Sequence, residues 1–533
     1  MPIFRFFLQS LSFFAVFLSG YSGLFSEEVK PIQPVASEFT FEQYEVVIGS
    51  AKHRTVLTGF LLGSTIAELV VVNIDENNDR RLHIYAFGDD TWVPILDATL
   101  RSEVLFVDVA NIGGHDRLIT YEPGRLNWFD PESATERALM KITSNFSPPL
   151  QGQISHIDVT RDVNGDERDD LVVPDVDGFW VFIQMSDGAF ADPVKIGPSI
   201  EMDRIYGDDG YRYNPWAQGR VHEVDYNQDS LGDLVFWNED HFEVHLQDKR
   251  GLFASVPIIF TTDVSFDSDD LGSLVAPEGV RQRRKDHAAS GDMTGRVLHS
   301  LTDMNGDSVA DLVVFSLESG SSRFLGQTSE LWSMHSTYEV HFGALTHDRT
   351  LFSPDIGAVI HSDGIPFGLE PHDIDHDGQT DVMFTIINPG IFKTIGMLVS
   401  ALLTRSVSMD LHFYCMEDAT YPDKPNARRK IRTTSLGESG EKAAAHFPTV
   451  LIGDVNGDRH SDLLVQQGRK ELRVFLGVPG PDLFSRRPQK VSVTMPNEEY
   501  AWLEDLNKDG KQDMLLHYPS TTEPHRVTML IAR

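Results

Sequence analysis

Cysteine is nearly absent from this chain of 533 residues: Cys415 stands alone, so no intramolecular disulfide can form. An exported protein without that staple needs another one. Positive charge is scarce as well, with 45 Lys and Arg against 80 Asp and Glu and a net charge of −35. A field of that sign repels phosphate backbones and anionic membranes, which argues against nucleic acid or a membrane surface as partner. The common catalytic signatures are missing too. There is no Gly-x-Ser-x-Gly elbow, no His-Glu-x-x-His helix and no phosphate-cradling Gly-Lys-Ser/Thr loop. Apolar residues make up 41%, an ordinary share for a packed protein, so disorder is not the default.

What the chain has is one acidic pattern, repeated. Asp162, Asn164, Asp166 and Asp170 stand at i, i+2, i+4 and i+8 and run into the apolar Leu171, Val172 and Val173. Their oxygens can converge on one ion if the backbone curls, with the Arg168 carbonyl adding another, and hard donors in that number suit Ca²⁺. The start looks like an EF-hand loop. An EF-hand, however, needs Glu at position 12 and flanking helices, and position 12 here is Val173 in a β-rich run. The spacing returns at Asp225, Asn227, Asp229 and Asp233; at Asp303, Asn305, Asp307 and Asp311; and at Asp373, Asp375, Asp377 and Asp381. It returns again at Asp454, Asn456, Asp458 and Asp462, and at Asp505, Asn507, Asp509 and Asp513. One copy would read as a polar turn. Six copies, each followed by an apolar residue, point to as many as six Ca²⁺ sites, which would bring the net charge from −35 to −23.

On these residues the chain resembles the FG-GAP/VCBS repeat family, whose members include the integrin α-subunit head domains. The resemblance implies an all-β, integrin-alpha-like β-propeller with a calcium loop between the first two strands of each metal-binding blade. The family's Gly at loop position 6 remains only as Gly378 and Gly510. Glu167, Ser230, Ser308 and Arg459 replace it, so those four loops are expected to bind more weakly or to turn differently.

Counting units gives eight blades, or seven if the first is miscounted. Six carry loops. Two near the front do not: 67–72 with 82–85 lacks the acidic turn, and 108–116 keeps Asp108 and Asp116 but has Ala110 and Ile112 where ligands belong. Both read as structural blades, and replacing Asp108 is expected to matter little. Third strands are legible at 179–182, 242–245, 338–341 and 472–475, commonly followed by a turn with Phe190, Phe253, Phe352 or Phe484. The last unit ends one strand short, and a strand at about 38–48 could close it, leaving no open edge. The domain reading is a signal peptide at 1–26, one propeller over 27–533, and insertions at about 263–299 and 388–410. The first insertion is a mobile loop or a binding lip. In the second, Ile391, Ile395, Leu398 and Leu402 recur at helical spacing after Pro389, which predicts a short amphipathic helix.

Arg5, the apolar run through 13–18 and the small Gly20, Ser22 and Gly23 describe a secretory leader, with an uncleaved anchor as the other reading. Secretion to a bacterial periplasm or cell surface follows, with no transmembrane span once the leader is removed. The most economical function is a calcium-binding module or scaffold for a protein or glycan, with no catalytic residue assigned. The alternative is a propeller enzyme, such as a lyase or hydrolase acting on polysaccharide from the central channel. His156, His222, His372 and His376 lie near the loops and would gain interest if they faced that channel together.

Overall fold

The second strand of each repeat is apolar on both faces, as in Leu69–Val72, Leu171–Val173 and Leu463–Val465, and a strand of that kind must be covered on both sides. A radial stack of sheets supplies that cover. The computed structural model describes residues 39–50, 53–88, 90–148, 152–197, 212–216, 221–238, 240–266, 293–319, 322–324, 327–329, 334–345, 350–363, 365–387, 406–434, 448–496, 500–520 and 523–533. Over these residues the chain forms seven antiparallel four-stranded sheets and one six-stranded sheet with four antiparallel blade strands, together an eight-bladed propeller.

Blade 1 comprises Thr55–Gly59, Glu68–Ile74, Arg80–Gly88 and Thr91–Thr99, and blade 2 comprises Phe106–Ile112, His115–Glu122, Arg125–Asp130 and Thr135–Lys141. Blade 3 is built from Thr160–Arg161, Asp170–Asp175, Gly178–Phe182 and Val194–Ile196; blade 4 from His222–Val224, Asp233–Asn238, His241–His245 and Ile258–Phe260. Blade 5 uses Met293–Thr302, Asp311–Ser319, Met334–His341 and Ala358–Asp363; blade 6 uses Ile365–His372, Asp381–Ile387, Ser406–Tyr414 and Ala427–Thr434. Blade 7 holds Val450–Gly453, Asp462–Gln466, Leu472–Phe475 and Gln489–Val491. Blade 8 takes Ala501–Glu504, Asp513–Tyr518 and His525–Ala532, and its fourth strand is Phe41–Gly49, paired from Phe41↔Ala532 to Gly49↔His525. Two short strands, Ser155–Ile157 and Arg212–Tyr213, lie parallel to the first strand of blade 2 on its inner side.

The core sits between blades. Val70, Val72 and Ile84 of blade 1 pack with Val107, Leu118 and Phe129 of blade 2. Val313 and Phe315 of blade 5 pack with Val382 and Phe384 of blade 6, and Leu515 and Met529 of blade 8 with Leu69 and Val71 of blade 1. Fully burying each such side chain contributes about 1.5–3 kcal/mol.

A circuit of contacts also joins each first turn to the next. The Phe60 N–H donates to Asp116, and the Asn111 N–H to Asp169. The Gln247 side chain donates to the Asn164 carbonyl, and Gln228 to that of Ser308. Thr380 N–H donates to Met304, Gln512 N–H to Asp454, and Ala67 N–H to Leu506. The remaining step is an edge-on contact of His376 and His460, with ring centroids 6.4 Å apart.

The expected first insertion must be shortened, because 293–299 belong to the first strand of blade 5. The ten residues of that strand extend it beyond the short inner strands of the other acidic blades, which hid it in an apparently aperiodic stretch. Residues 406–410 are likewise strand. The helix expected within 388–404 and the leader at 1–26 lie outside the described residues. Among the described residues no helix is long and apolar enough to cross a membrane.

Candidate functional site

All six acidic stretches fold the same way. Each lies between the first and second strand of its blade, and residues 4 and 6 of each take the left-handed conformation. At position 4 these are Gly165, Gln228, Gly306, His376, Gly457 and Lys508, with φ from 56° to 77°. At position 6 they are Glu167, Ser230, Ser308, Gly378, Arg459 and Gly510, with φ from 64° to 87°. This corrects the expectation that the four loops without Gly turn differently. Side-chain hydrogen bonds to the loop N–H groups offset the roughly 1–2 kcal/mol that a residue with Cβ loses there.

Those bonds repeat from loop to loop. The first Asp accepts the N–H of residue 6, as Asp162 does from Glu167 at 2.7 Å and Asp454 from Arg459 at 2.8 Å. The fifth residue accepts the N–H of residue 7, as Asp307 does from Val309 and Asp509 from Lys511. The third turns its oxygen to the N–H of residue 5, as Asn227 and Asn456 do. Positions 1, 3 and 5 therefore all fold their side chains over the same turn. In the fourth loop, carboxylate oxygens of Asp373, Asp375 and Asp377 all lie within 4.8 Å of one another.

The closing residues, Asp170, Asp233, Asp311, Asp381, Asp462 and Asp513, behave differently. Each opens a second strand and is fully buried. One oxygen accepts the N–H of loop residue 2 and the other accepts an N–H just beyond or at the end of the third strand: Val455 and Gly477 for Asp462, Met304 and Gly343 for Asp311, Leu506 and Ala532 for Asp513. Gly343 can be nothing larger, since a Cβ would stand 2.1 Å from the Ala310 carbonyl. Burial pushes the carboxyls of Asp170, Asp381 and Asp462 up to about 7 and those of Asp233, Asp311 and Asp513 up to about 6, the neighbouring loop carboxylates adding to the rise.

The donor set fits a hard divalent cation: clustered carboxylate and carboxamide oxygens, with no histidine or ionised thiol among them. Cys415 lies beside Asp375 and Asp381, but burial and those carboxylates hold its thiol well above the ordinary range. In the five Asn-containing loops the amide nitrogen faces the fifth residue, as Asn305 Nδ2 to Asp307 at 3.1 Å, so a shared cation requires the amide to turn its oxygen inward. Neighbouring basic side chains differ. Arg168 pairs with Asp166, and His460 Nδ1 lies 3.3 Å from Asp458.

Blades 1 and 2 depart from the pattern. Blade 1 keeps the closing acid as Glu68, fully buried at the start of its second strand, where it accepts the Leu62 N–H and the Ser64 hydroxyl. In blade 2 the stretch 108–116 is no loop: Gly113 and Gly114, with φ of 65° and 80°, turn a tight hairpin. Asp108 is not a bystander either. It is buried, holding His156 Nε2 at 2.9 Å and the Val159 N–H at 2.8 Å. The expectation that its loss matters little fails because His156 comes from a strand 48 residues on and packs against the inside of blade 2.

A cavity of about 380 Å³ opens against the first strands of blades 1, 2 and 8. Residues 56–60, Asp108, Asp116, His156, Asp169, Tyr500, Trp502, Glu504 and His517 line it. His156 reaches it; His222, His372 and His376 do not line it.

No protein-family description matches the sequence, and no curated protein matches it. Among solved structures, the V. cholerae biofilm matrix protein Bap1 aligns over 92% of this chain and 91% of its own, with 10% identity and a TM-score of 0.34. A protein from Lactobacillus plantarum aligns over 73% of this chain and 100% of its own, with 10% identity and a TM-score of 0.25.

Proposed function

We propose that the chain is an exported, calcium-stapled propeller that works as a binding module or scaffold for a protein or glycan. The observation that carries this reading is the shared turn of six loops, each folding its polar side chains at positions 1, 3 and 5 beside a buried acid, with the carboxylate oxygens of Asp373, Asp375 and Asp377 within 4.8 Å of one another in the fourth. The residues that would hold the ions are those at positions 1, 3, 5 and 9 of the six loops, from Asp162 to Asp513. Bound there, Ca²⁺ supplies positive charge to a ring of carboxylates. The protein's own part is to fix those oxygens on turns that are already hydrogen-bonded. The FG-GAP/VCBS resemblance agrees with this assignment.

Calorimetric titration of chelator-stripped protein tests the metal half: calcium should bind at up to six sites, and Asp375→Ala should remove one. Absence of calcium binding would sink it. Incubation with acidic and neutral polysaccharides tests the other half. Retention without new reducing ends supports a module, whereas reducing ends lost on mutating channel residues would make the protein a polysaccharide-cleaving propeller.

A further inference from the structure

The cavity lies where the repeat abandons its loops. Among the described residues that line it are four carboxylates, Asp108, Asp116, Asp169 and Glu504, and no Lys or Arg. The donors described on Asp116, Asp169 and Glu504 are backbone N–H, amide, hydroxyl and indole groups, all of them neutral. Asp116 takes the Phe60 N–H at 2.9 Å and the Asn111 amide at 2.8 Å. Asp169 Oδ2 takes the Asn111 N–H at 2.6 Å, and Glu504 Oε2 takes the Thr58 hydroxyl at 2.5 Å and the Trp502 indole at 3.4 Å. Neutral donors satisfy lone pairs and leave the net charge in place. In a half-open pocket lined by carboxylates that charge favours a cation.

The walls suit an organic cation. Phe60, Tyr500 and Trp502 offer aromatic faces, and the Lys508 ammonium already stands 3.8 Å from the centroid of the Phe60 ring. That lysine belongs to the loop of blade 8, is exposed and does not line the cavity, so it offsets one charge at the rim and leaves the interior open. The Asp373–Asp377 kind of crowding is absent among the described lining residues, which belong to none of the acidic groups close enough to share a metal ion. At about 380 Å³ the space falls in the range of small-ligand sites.

We propose that this cavity is a binding site for a basic side chain, a lysine ammonium or arginine guanidinium presented by a protein partner. Trp502 and Tyr500 cover the stem while Asp169 and Glu504 meet the charged head. The site goes beyond the calcium reading: none of its four carboxylates is a loop ligand, and it stands or falls without the metal.

The test uses the full chain in saturating calcium and 150 mM salt, titrated calorimetrically with N-acetyl-lysine amide, N-acetyl-arginine amide and the neutral N-acetyl-norleucine amide. At least one cationic probe should bind saturably at one site and the neutral isostere should not. Asp169→Asn and Glu504→Gln, which keep shape and hydrogen-bonding capacity, should each weaken binding by at least about tenfold, while the exposed Glu132→Gln leaves it unchanged. Lack of saturable binding by both cations, equal binding of the neutral probe, or one affinity across all variants would overturn the proposal. Because the probes alone decide the first two outcomes, a variant that folds poorly does not rescue it.

Discussion

Blade 7 and blade 2 make the same fold by different turns. Blade 7 passes from its first strand to its second through eight residues, Asp454 to Ser461, two of them left-handed; blade 2 does so through Gly113 and Gly114 alone. Both blades pack apolar residues of their second strands into the cores on either side, Leu118 and Ile119 in blade 2 and Leu463 and Leu464 in blade 7. The acidic loop is therefore not what builds a blade. What persists without it is the buried acid: Glu68 in blade 1 still sits where Asp462 sits in blade 7 and still accepts hydrogen bonds from its own turn. The comparison separates two roles that the repeat merges, a ninth residue that ties strands together and three earlier residues that fold their side chains over the turn.

That separation can be broken most forcefully at the ninth residue. Asp462→Ala strips the acceptor from two buried N–H groups, those of Val455 and Gly477, at about 1–3 kcal/mol each. The loss in urea unfolding should already appear in chelator, and it should be larger in calcium because Asp462 would also hold an ion. Asp108→Ala should cost a similar amount, again about 1–3 kcal/mol for each orphaned donor, with no change in calcium response. A calcium-dependent loss at Asp108 would erase the line between the two kinds of blade.

At positions 1, 3 and 5 the metal-dependent part of the effect should be smaller, and at position 1 it comes on top of the loop N–H bonds lost in chelator, such as those of Gly457 and Arg459 to Asp454. Asp454→Ala should remove the share of one site, about 0.6–1.8 kcal/mol near 2 mM free Ca²⁺ for a dissociation constant of roughly 10⁻⁴ to 10⁻³ M. Asp375→Ala should matter most among them, because its loop alone has four Asp, whereas Arg168 competes at Asp166 in another. Calorimetry on the two variants ranks them.

The seam between blade 8 and blade 1 should respond to acid for an unrelated reason. Burial, with His525 and Arg54 nearby, pushes His517 down to about 3. The folded state therefore binds its proton less readily than the unfolded chain, whose histidine titrates near 6.5. Stability from this group is present above about pH 6.5 and is lost as pH falls from there toward 3. His517→Gln should flatten that part of the profile of unfolding midpoint against pH. An unchanged profile would contradict the assignment.

The smallest effects test the turns themselves. Gly378→Ala should destabilise by about 1 kcal/mol, because φ of 87° suits glycine. Glu167→Gly should be within about 1 kcal/mol of neutral, since relief of the left-handed residue is offset by greater freedom in the unfolded chain. Paired urea melts distinguish them.

Eight blades were legible because each second strand advertises two-sided burial and each acidic turn marks its start. The contents of the loop-poor quarter were not. Nothing local ties Asp108 to His156, which reaches it through a parallel strand added inside blade 2. Glu68 hides because one glutamate before a Val run carries no spacing to compare. Position 6 misled because glycine is the usual sign of a left-handed turn, and Glu167, Ser230, Ser308 and Arg459 adopt it under the hold of the first Asp in each loop. The cavity depends on first strands of blades far apart in sequence, and no local pattern encodes it.

Thermal unfolding in excess chelator, in about 2 mM free Ca²⁺ and in equal Mg²⁺ tests the central claim most directly. Six independent sites of extracellular strength should together add roughly 4–11 kcal/mol, comparable with the stability of a whole domain. The account predicts a large upward shift in calcium and little in magnesium, retained in Asp108→Ala and reduced in Asp375→Ala. Equal midpoints in chelator and calcium would mean that the six loops are hydrogen-bonded polar turns and no staple at all.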